Sequence, residues 1–255
     1  MPEKITTQEL MEAGVHFGHL TRKWNPRMSE YIFMENNGIH IIDLNKTQKA
    51  LEEAAFAIKN IVRSGRKIML VATKKQAKDV IVEEATRLNM PYVTERWLGG
   101  MLTNFATIRK SLKKLAQIEK LMKEDAFNNI AKRERLMIAR EKAKLEKLLG
   151  GITELNRLPA ALFVIDVKRE HIAVAEAQKL NIPVFAMVDT NSDPSDIDFP
   201  IPANDDAFKS ISIVTKFIGK SIEEALMERK KDKEETNLKK EEDEKRAVDE
   251  AVQEA

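Results

Sequence analysis

Four side chains in this sequence have the chemistry of a metal site. His19 lies in an N-terminal segment, Asp189 follows an apolar run, and Asp205 and Asp206 follow a short proline-containing segment. One imidazole with two or three carboxylates is a ligand set that suits zinc or another divalent cation. The sequence therefore predicts one such cation at these residues, and it shows no other sign of a required cofactor.

Each of these residues also has an ordinary structural interpretation. Asp205 and Asp206 can occupy the first turn of a helix, where acids favourably meet the helix dipole. Asp189 can hydrogen-bond its own turn, and His19 can be a core histidine or face a polyanion. Metal analysis separates the two interpretations, because only the first requires a bound cation.

A second group of residues is suited to phosphates. The segment 15–28 places basic side chains beside aromatic ones, and such segments grip phosphates and stack on bases. The alternative is that Phe17 and Trp24 only anchor this ordered loop to the core. Lys74 and Lys75 follow a predicted strand, where a phosphate can rest on a helix N-terminus. The predicted RNA-binding residues are Arg22, Lys23, Trp24, Arg27, Lys74, Lys75, Arg96, Arg109, Lys110, Lys113 and Lys114.

The sequence lacks the usual motifs of phosphate-binding and hydrolytic enzymes. It contains no GxxxxGK[ST], no GxGxxG, no HExxH and no GxSxG, and it has no cysteine for disulfides or thiolate metal sites. No apolar run approaches the roughly 18 residues of a membrane span, and Met1–Lys4 lack a signal-peptide layout. We expect a cytoplasmic protein with no membrane partner that is not an enzyme. The alternative is a nucleotide- or small-molecule-binding α/β enzyme.

Two buried strands and the helix between them define the framework that must position these residues. The runs 160–165 and 183–188 are apolar and of strand length, and Glu170–Leu180 has helical periodicity. Strand, helix and strand at this spacing form a right-handed crossover in a parallel sheet. In such sheets ligands bind beyond the carboxyl ends of the strands, which is where Asp166 and Asp189 lie.

Further elements complete a three-layer α/β body of the flavodoxin- or Rossmann-like kind. Asn36-Asn37-Gly38 between two apolar runs predicts a hairpin. The other predictions are a helix over 7–13 capped by Thr6 or Thr7, a helix from Asn45 or Thr47 to Ser64, a strand over 67–72, a capping box at Thr73–Gln76 opening a helix to Leu88, a strand over 92–94, an edge strand over 198–202, and a helix from Asn204 to about Met227.

Residues 106–149 differ from the body in charge and pattern. They hold 13 basic and six acidic side chains, a net of +7, whereas residues 150–227 carry a net of −5. Apolar residues recur every three or four positions, and a break at Asp125–Asn129 predicts an antiparallel coiled-coil pair that protrudes from the body. An ordinary solvated hairpin is the alternative, but the charge favours nucleic acid. The expected domains are a body over 1–105 and 150–227, the basic hairpin over 106–149 and a charged tail over 228–255, frayed or disordered.

Several motifs together resemble the bacterial small-subunit ribosomal protein two family. They occur in the family's order, from about Ile5 to Met227, and only the charged tail lies outside the resemblance. The motifs are Val15-His16-Phe17-Gly18-His19 with Trp24-Asn25-Pro26, then Arg96-Trp97-Leu98-Gly99-Gly100-Met101-Leu102-Thr103-Asn104, then Leu162-Phe163-Val164-Ile165-Asp166, and finally Asp189-Thr190-Asn191-Ser192-Asp193-Pro194.

The resemblance implies more than the residues do. It implies an α/β sandwich around a parallel sheet, with a protruding helical hairpin. It also implies a structural constituent of the small ribosomal subunit that acts in translation, binds 16S ribosomal RNA beside other small-subunit proteins, and helps to anchor ribosomal protein one. The residues alone lead only to an RNA-binding α/β protein with a basic hairpin.

Overall fold

The computed structural model describes residues 5–124, 127 and 131–253, with side chains described up to residue 232 and at residue 234. The features predicted at Met1–Lys4 and at the Asp125–Asn129 break, apart from Phe127, lie outside the described residues. Within them no helix is long and apolar enough to cross a membrane. The α-helices of the described residues are α1 (Thr7–Glu12), α2 (Leu44–Arg63), α3 (Lys75–Leu88), α4 (Phe105–Lys123), α5 (Lys132–Leu149), α6 (His171–Lys179) and α7 (Phe208–Gln253).

Eight strands of the described residues form two separate sheets. The N-terminal sheet is antiparallel in the order β1-β3-β2, and the main sheet is parallel in the order β5-β4-β6-β7-β8. This parallel order confirms the predicted crossover and places the predicted edge strand at the edge. The strands are β1 (Phe17–Leu20), β2 (Ile32–Asn36), β3 (Ile39–Ile42), β4 (Ile68–Val71), β5 (Tyr92–Val93), β6 (Ala161–Ile165), β7 (Val184–Val188) and β8 (Phe199–Pro202).

The main sheet is buried on both faces because successive strand side chains point to opposite sides. Phe163 and Phe185 pack with α2, α3 and α7 in one apolar cluster. Leu162 and Val164 pack with α6 and with the loop after β5 in a second cluster. Each unbroken apolar run thus supplies two cores, which confirms the predicted three-layer α/β architecture.

The N-terminal sheet confirms one prediction from the sequence and corrects another. Asn37 and Gly38 both adopt positive φ, at 50° and 74°, as the predicted two-residue hairpin turn requires. The segment predicted as one ordered loop instead contains β1 and two 3-10 helices, Thr21–Lys23 and Pro26–Tyr31. Its four-residue strand was too short to be recognised without the partner β3.

Among the first three helices, one predicted N-terminal cap is correct and two are wrong. Thr6 caps α1 in a capping box with Glu9, as predicted. Asp43, not Asn45 or Thr47, caps α2 by accepting from the N–H of Asn45. The capping box predicted at Thr73 is wrong, because α3 begins after Lys74 without a side-chain cap. The Thr73 hydroxyl instead donates to Glu170, a contact that depends on the tertiary structure.

The N-terminal end of α4 and the C-terminal end of α5 pack against the body. Ile108 of α4 and Leu149 of α5 both join the core cluster beneath α6. Farther along, Leu115 is buried, and Lys114 donates to Glu141 of α5. These contacts join the two helices, and their protrusion as a hairpin stays a prediction.

Helix α7 continues beyond the body into the charged segment. The sequence predicts a helix from Asn204 to about Met227 followed by a frayed or disordered tail, whereas the helix begins at Phe208 and its backbone is helical to Gln253. Asn204 instead accepts hydrogen bonds from the N–H groups of Asp206 and Ala207 in the loop before the helix. Lys59 of α2 pairs with Glu224 and Glu228 of α7 at 3.0 and 2.8 Å, so contacts with the body extend past Met227. The division into body, hairpin and tail remains a prediction.

Candidate cation site and nucleic-acid interface

The four predicted metal ligands lie together at the carboxyl edge of the main sheet. Asp189 directly follows β7, Asp205 and Asp206 lie between β8 and α7, and His19 belongs to β1. Nδ1 of His19 lies 2.9 Å from Oδ2 of Asp189, and Nε2 lies 3.2 Å from Oδ2 of Asp206. One ligand atom from each of the four residues lies within 4.8 Å of the others. The aspartates precede α7 and do not occupy its first turn, so the ordinary interpretation of these two acids does not hold.

Close backbone packing brings His19 to this edge. A Cβ on Gly18 would lie 2.6 Å from Cγ2 of Thr190 and 3.0 Å from the carbonyl oxygen of His40, so only glycine permits this approach. The N–H of His19 donates to the Thr190 hydroxyl at 2.8 Å. On the other side, the Asn204 side chain donates to the carbonyl of Gly14. The small sheet is therefore fixed against the strand ends on both sides of the cluster.

Lys74 also enters the cluster, a position that the sequence did not predict. Its Nζ lies 2.7 Å from Asp205, 2.6 Å from Asp206 and 3.5 Å from Asp166. Burial favours the neutral amine, but the carboxylates around it outweigh burial and raise the pKa of Lys74 above its ordinary value. The ammonium is therefore engaged inside the protein, and Lys74 is withdrawn from the predicted phosphate contacts. Lys75, the next residue, is exposed.

The protonation of the cluster follows from burial and charge. Asp205 is fully buried, and burial together with the charges of Asp189 and Asp166 raises its pKa to about 7, against the opposing effect of Lys74. The hydrogen bond to Asp189 raises the pKa of His19 although burial opposes this. The excess of negative charge is thus partly relieved by protons and by Lys74, and a divalent cation would relieve it in the same way.

The donor set fits a small divalent cation. Oδ1 of Asp205 accepts from Lys74, whereas its buried Oδ2 has no hydrogen-bond partner among the described residues. A buried carboxylate oxygen without a partner is costly, and a cation at this position would satisfy it. The mixture of one imidazole and three carboxylates is chemically suited to zinc.

Hydrogen-bonded protein side chains join the carboxyl ends of β4 and β6. The strand order reverses there, and in sheets of this kind anionic cofactors bind at that point. Glu170 is buried and accepts hydrogen bonds from the N–H and the hydroxyl of Thr73. Arg169 donates to the same hydroxyl at 2.8 Å. The N–H and the basic group that a phosphate would use are thus occupied, which disfavours the nucleotide-binding alternative.

A second internal carboxylate organises the loop between β5 and α4. Glu176 of α6 is mostly buried and accepts from the indole N–H of Trp97 at 3.1 Å and the N–H of Gly100 at 2.7 Å. Its other oxygen accepts from the N–H groups of Leu102 and Thr103 at 2.9 and 3.0 Å. Converging N–H groups of this kind often bind anions, and here the anion is part of the chain.

The roles of Glu170 and Glu176 were not predicted from the sequence. Both acids lie in or beside a short helix that packs on the sheet, where an acid facing the apolar side is unusual. An acidic residue at an apolar position of the α6 pattern is the feature of the sequence that could have identified these two acids. It indicates a buried acid but not its partners, which come from loops about 75 to 100 residues away along the chain.

The predicted RNA-binding residues other than Lys74 are on the surface. Arg27 pairs with Asp193 at 2.8 Å, and the exposed indole of Trp24 lies against His40 with ring centroids 5.2 Å apart. Trp24 is therefore both exposed and packed, so its two interpretations are compatible. The remaining exposed basic residues of this group are Arg22, Lys23, Lys75, Arg96, Arg109, Lys110, Lys113 and Lys114.

The chain is similar to known ribosomal proteins over most of its length. A family model described as Ribosomal protein S2 matches residues 10–225. Small ribosomal subunit protein uS2 of Cytophaga hutchinsonii is 67% identical over 251 residues, which cover 98% of this chain and 99% of that protein. The protein of the same name from Flavobacterium johnsoniae is 60% identical over 92% of both chains, and that from Chlorobaculum tepidum is 60% identical over 88% of this chain and 90% of the relative.

Proposed function

Because the chain belongs to the ribosomal protein S2 family, we propose that it binds 16S ribosomal RNA through its basic helices α4 and α5. Members of this family are structural components of the small subunit of the cytoplasmic ribosome, and the chain acts in translation and not as an enzyme. Within the subunit, the two basic helices would supply the contact with RNA.

Unpaired positive charge on α4 is the observation that carries this proposal. Arg109, Lys110 and Lys113 are exposed, and none has an ion-pair partner within the described part of the chain. Some cations elsewhere in the chain are neutralised by ion pairs, as Lys59 and Arg87 are by glutamates of α7. A row of free cations on a helix attracts phosphates and releases their counterions on binding.

Co-sedimentation with small subunits that lack this protein tests the contact. The variant Lys110→Glu with Lys113→Glu reverses two free charges, and Lys114 is left unchanged because it is engaged with Glu141. Removal of each phosphate contact should reduce the slope of log affinity against log salt by roughly 0.7 to 0.9. The matched control, Lys179→Glu with Lys209→Glu, changes two exposed lysines of the acidic half and should bind as the wild type does.

Equal affinity and equal salt slope for the two double variants would mean that α4 faces protein or solvent. Failure of the wild type to bind such subunits would reject RNA-dependent assembly altogether. Saturable binding of a nucleotide in that case would favour the small-molecule alternative.

The family resemblance also suggests a protein partner, and we propose that the chain helps to anchor ribosomal protein one to the subunit. The support for this partner is the family resemblance, because four of the acids in residues 150–227 are buried and the segment offers no strongly acidic surface. Subunits assembled with and without this chain should differ in the amount of ribosomal protein one that they retain. Equal retention would remove this part of the proposal.

We further propose that His19, Asp189, Asp205 and Asp206 hold one zinc or other divalent cation. Support comes from their convergence and from the unpartnered oxygen of Asp205. Lys74 bonds the Oδ1 atoms of Asp205 and Asp206, so its positive charge beside the site opposes binding of the cation at the other oxygens. Elemental analysis of protein purified without chelator should find about one metal per chain, and Asp205→Ala should lose it. Lys74→Met should bind the metal more tightly, and unchanged affinity would contradict this effect of Lys74.

A further inference from the structure

A turn after β5 contains a glycine that its own fold does not require. The N–H of Met101 donates to the carbonyl of Leu98 at 3.1 Å, which closes a four-residue turn over 98–101. Gly100 has a φ of +85°, whereas Gly99 lies outside the left-handed region. This is the pattern of a type II turn, which needs glycine at its third position and accepts most residues at its second. The turn therefore explains Gly100 but not Gly99.

Packing within the chain does not explain Gly99 either. A Cβ built on Gly99 meets no described atom within 4 Å, and the residue is exposed. A glycine at such a position weakens the fold, because it leaves the unfolded chain more freedom than alanine would. A remaining physical use of glycine is to let another molecule approach the backbone closely.

The turn is held rigidly enough to make such a contact. Trp97 and Leu102, which flank the turn, and Met101, its last residue, are buried in the core. On the side of the turn that faces the protein, Glu176 accepts a hydrogen bond from the N–H of Gly100 at 2.7 Å. Gly99 is thus the outward apex of a turn that is fixed at both ends and underneath, and a partner would meet it in one defined position.

Charge near the apex identifies the class of partner. Arg96 is exposed and has no ion-pair partner among the residues that the structure describes. The neighbouring acid, Glu95, is already paired with Lys78 at 2.9 Å and Lys147 at 3.4 Å. The N–H of Gly99 has no acceptor within the described chain. A free N–H beside a free guanidinium is suited to a phosphate oxygen.

We propose that the 98–101 turn is a close-approach contact for the sugar–phosphate backbone of ribosomal RNA. The N–H of Gly99 donates to a phosphate oxygen, Arg96 neutralises its charge, and the missing side chain of Gly99 leaves room for the strand. This inference rests on the proposed RNA-binding function. It adds a second RNA contact, at a fixed place on the surface, to the row of cations on α4.

The variant Gly99→Ala separates folding from binding. Since its Cβ meets nothing inside the described chain, the melting temperature should be unchanged or slightly higher. Affinity for small subunits lacking the protein should fall about tenfold or more, because the added Cβ keeps the phosphate away from the N–H and a hydrogen bond to a charged group is lost. Gly150→Ala is the matched control, because its Cβ also fits, with the nearest atom 3.9 Å away, and its φ is −54°. Equal affinity of both variants, with wild-type binding intact, would overturn this inference alone.

A tethered probe identifies what lies against the turn. The chain has no cysteine, so Ala106→Cys, at an exposed position in the first turn of α4 and close to the 98–101 turn in the chain, gives one site for iron(II)–EDTA. Hydroxyl radicals from this site should cleave 16S ribosomal RNA in assembled subunits. Normal assembly without RNA cleavage would show that the turn faces protein or solvent and would reject the proposal. Failure of the unmodified wild type to assemble would instead reject the RNA-binding function.

Discussion

Buried acids determine the local structure at several individual positions. Glu176 fixes the loop that leads to α4, Glu170 bonds Thr73 at the end of β4, and Asp205 lies in the charged cluster. A buried charge is tolerated only when it is paired or hydrogen-bonded. Each of these acids meets that condition differently, through N–H groups, through a hydroxyl and an N–H, or through Lys74.

The variant Glu176→Gln tests the first of these. Burial raises the pKa of Glu176, but the hydrogen bonds from Thr103, Trp97, Leu102 and Gly100 outweigh it and hold that pKa below its ordinary value of 4.5. An acid with a lowered folded pKa stabilises the fold above its unfolded pKa, and that stabilisation is lost as the pH falls through the folded pKa. At neutral pH the variant should therefore be less stable than wild type by about 1–3 kcal/mol.

Urea unfolding measures this difference at neutral pH and again near pH 4. The difference in free energy of unfolding between wild type and Glu176→Gln should narrow at the lower pH, because the carboxyl of the unfolded wild type binds a proton more readily than the carboxyl of the folded protein. Glu83→Gln, at an exposed position of α3, is the control, and its free energy of unfolding should equal that of wild type at both pH values. A gap that stays constant with pH would mean that shape, and not charge, accounts for the role of Glu176.

The stability of the protein should also depend on Gly151. A Cβ there would overlap the carbonyl oxygen of Tyr92 and lie 2.7 Å from Cδ2 of the same residue. Because a backbone atom cannot easily move aside, Gly151→Ala should destabilise the protein by about 1–3 kcal/mol in urea unfolding. Gly150→Ala, whose Cβ has room, should be nearly neutral. Equal stability of the two variants would show that the end of α5 is free to shift away from β5.

At the scale of elements, α7 has two roles along its length. Its first part packs Ile211, Val214 and Ile218 against α2 and α3 in the core. Its next part is joined to α2 by ion pairs, from Lys59 to Glu228 at 2.8 Å and from Arg63 to Asp232 at 3.6 Å. Among the side chains that the structure describes, Asp232 is the last of α7 to form an ion pair with the body. These pairs therefore do not require the part of the helix that follows.

Two truncations separate these roles. Ending the chain after Glu234 should leave the melting temperature unchanged, because the ion pairs with α2 are kept. Ending it after Met227 should lower the melting temperature slightly, since Glu228 and Asp232 are removed, and added salt should reduce the difference. A lower melting temperature for the chain that ends after Glu234 would instead assign a structural role to residues 235–255.

At the scale of the whole molecule, the charged cluster joins two sheets that share no strand. His19 comes from the N-terminal sheet, whereas the three aspartates follow strands of the main sheet. A cation bound between them would connect the small sheet to the body. Binding to the folded state alone would stabilise that state by about 2.7 kcal/mol when free metal is a hundredfold above its dissociation constant.

Zinc titration followed by thermal unfolding tests this connection. Wild type should melt at a higher temperature as zinc is added, and hydrogen exchange of β1 amides should become slower. Asp206→Asn should lose most of the shift without unfolding the protein, because the Asp206 side chain is half exposed at 52%. A zinc-dependent shift of equal size in that variant would place the metal elsewhere.

The sequence by itself determined the framework of this protein. Uninterrupted apolar runs predict strands buried on both faces, and the helix between them requires a parallel crossover, so the sheet follows from local pattern. The Asn37-Gly38 turn follows from backbone conformations that few other residue pairs adopt. The long motifs indicated the family, and the strand ends indicated where His19 and the aspartates could meet.

Only the tertiary structure decided which charges face inward. Lys74 and Lys75 are adjacent and chemically alike, yet one is buried among carboxylates and the other is exposed. The partners of Glu170 and Glu176 come from distant parts of the chain, as does Thr190 beneath Gly18. Apolar periodicity reports which face of an element is buried, but not which polar groups meet there. Those partners are set by strand order and loop packing, which exist only once the whole chain has folded.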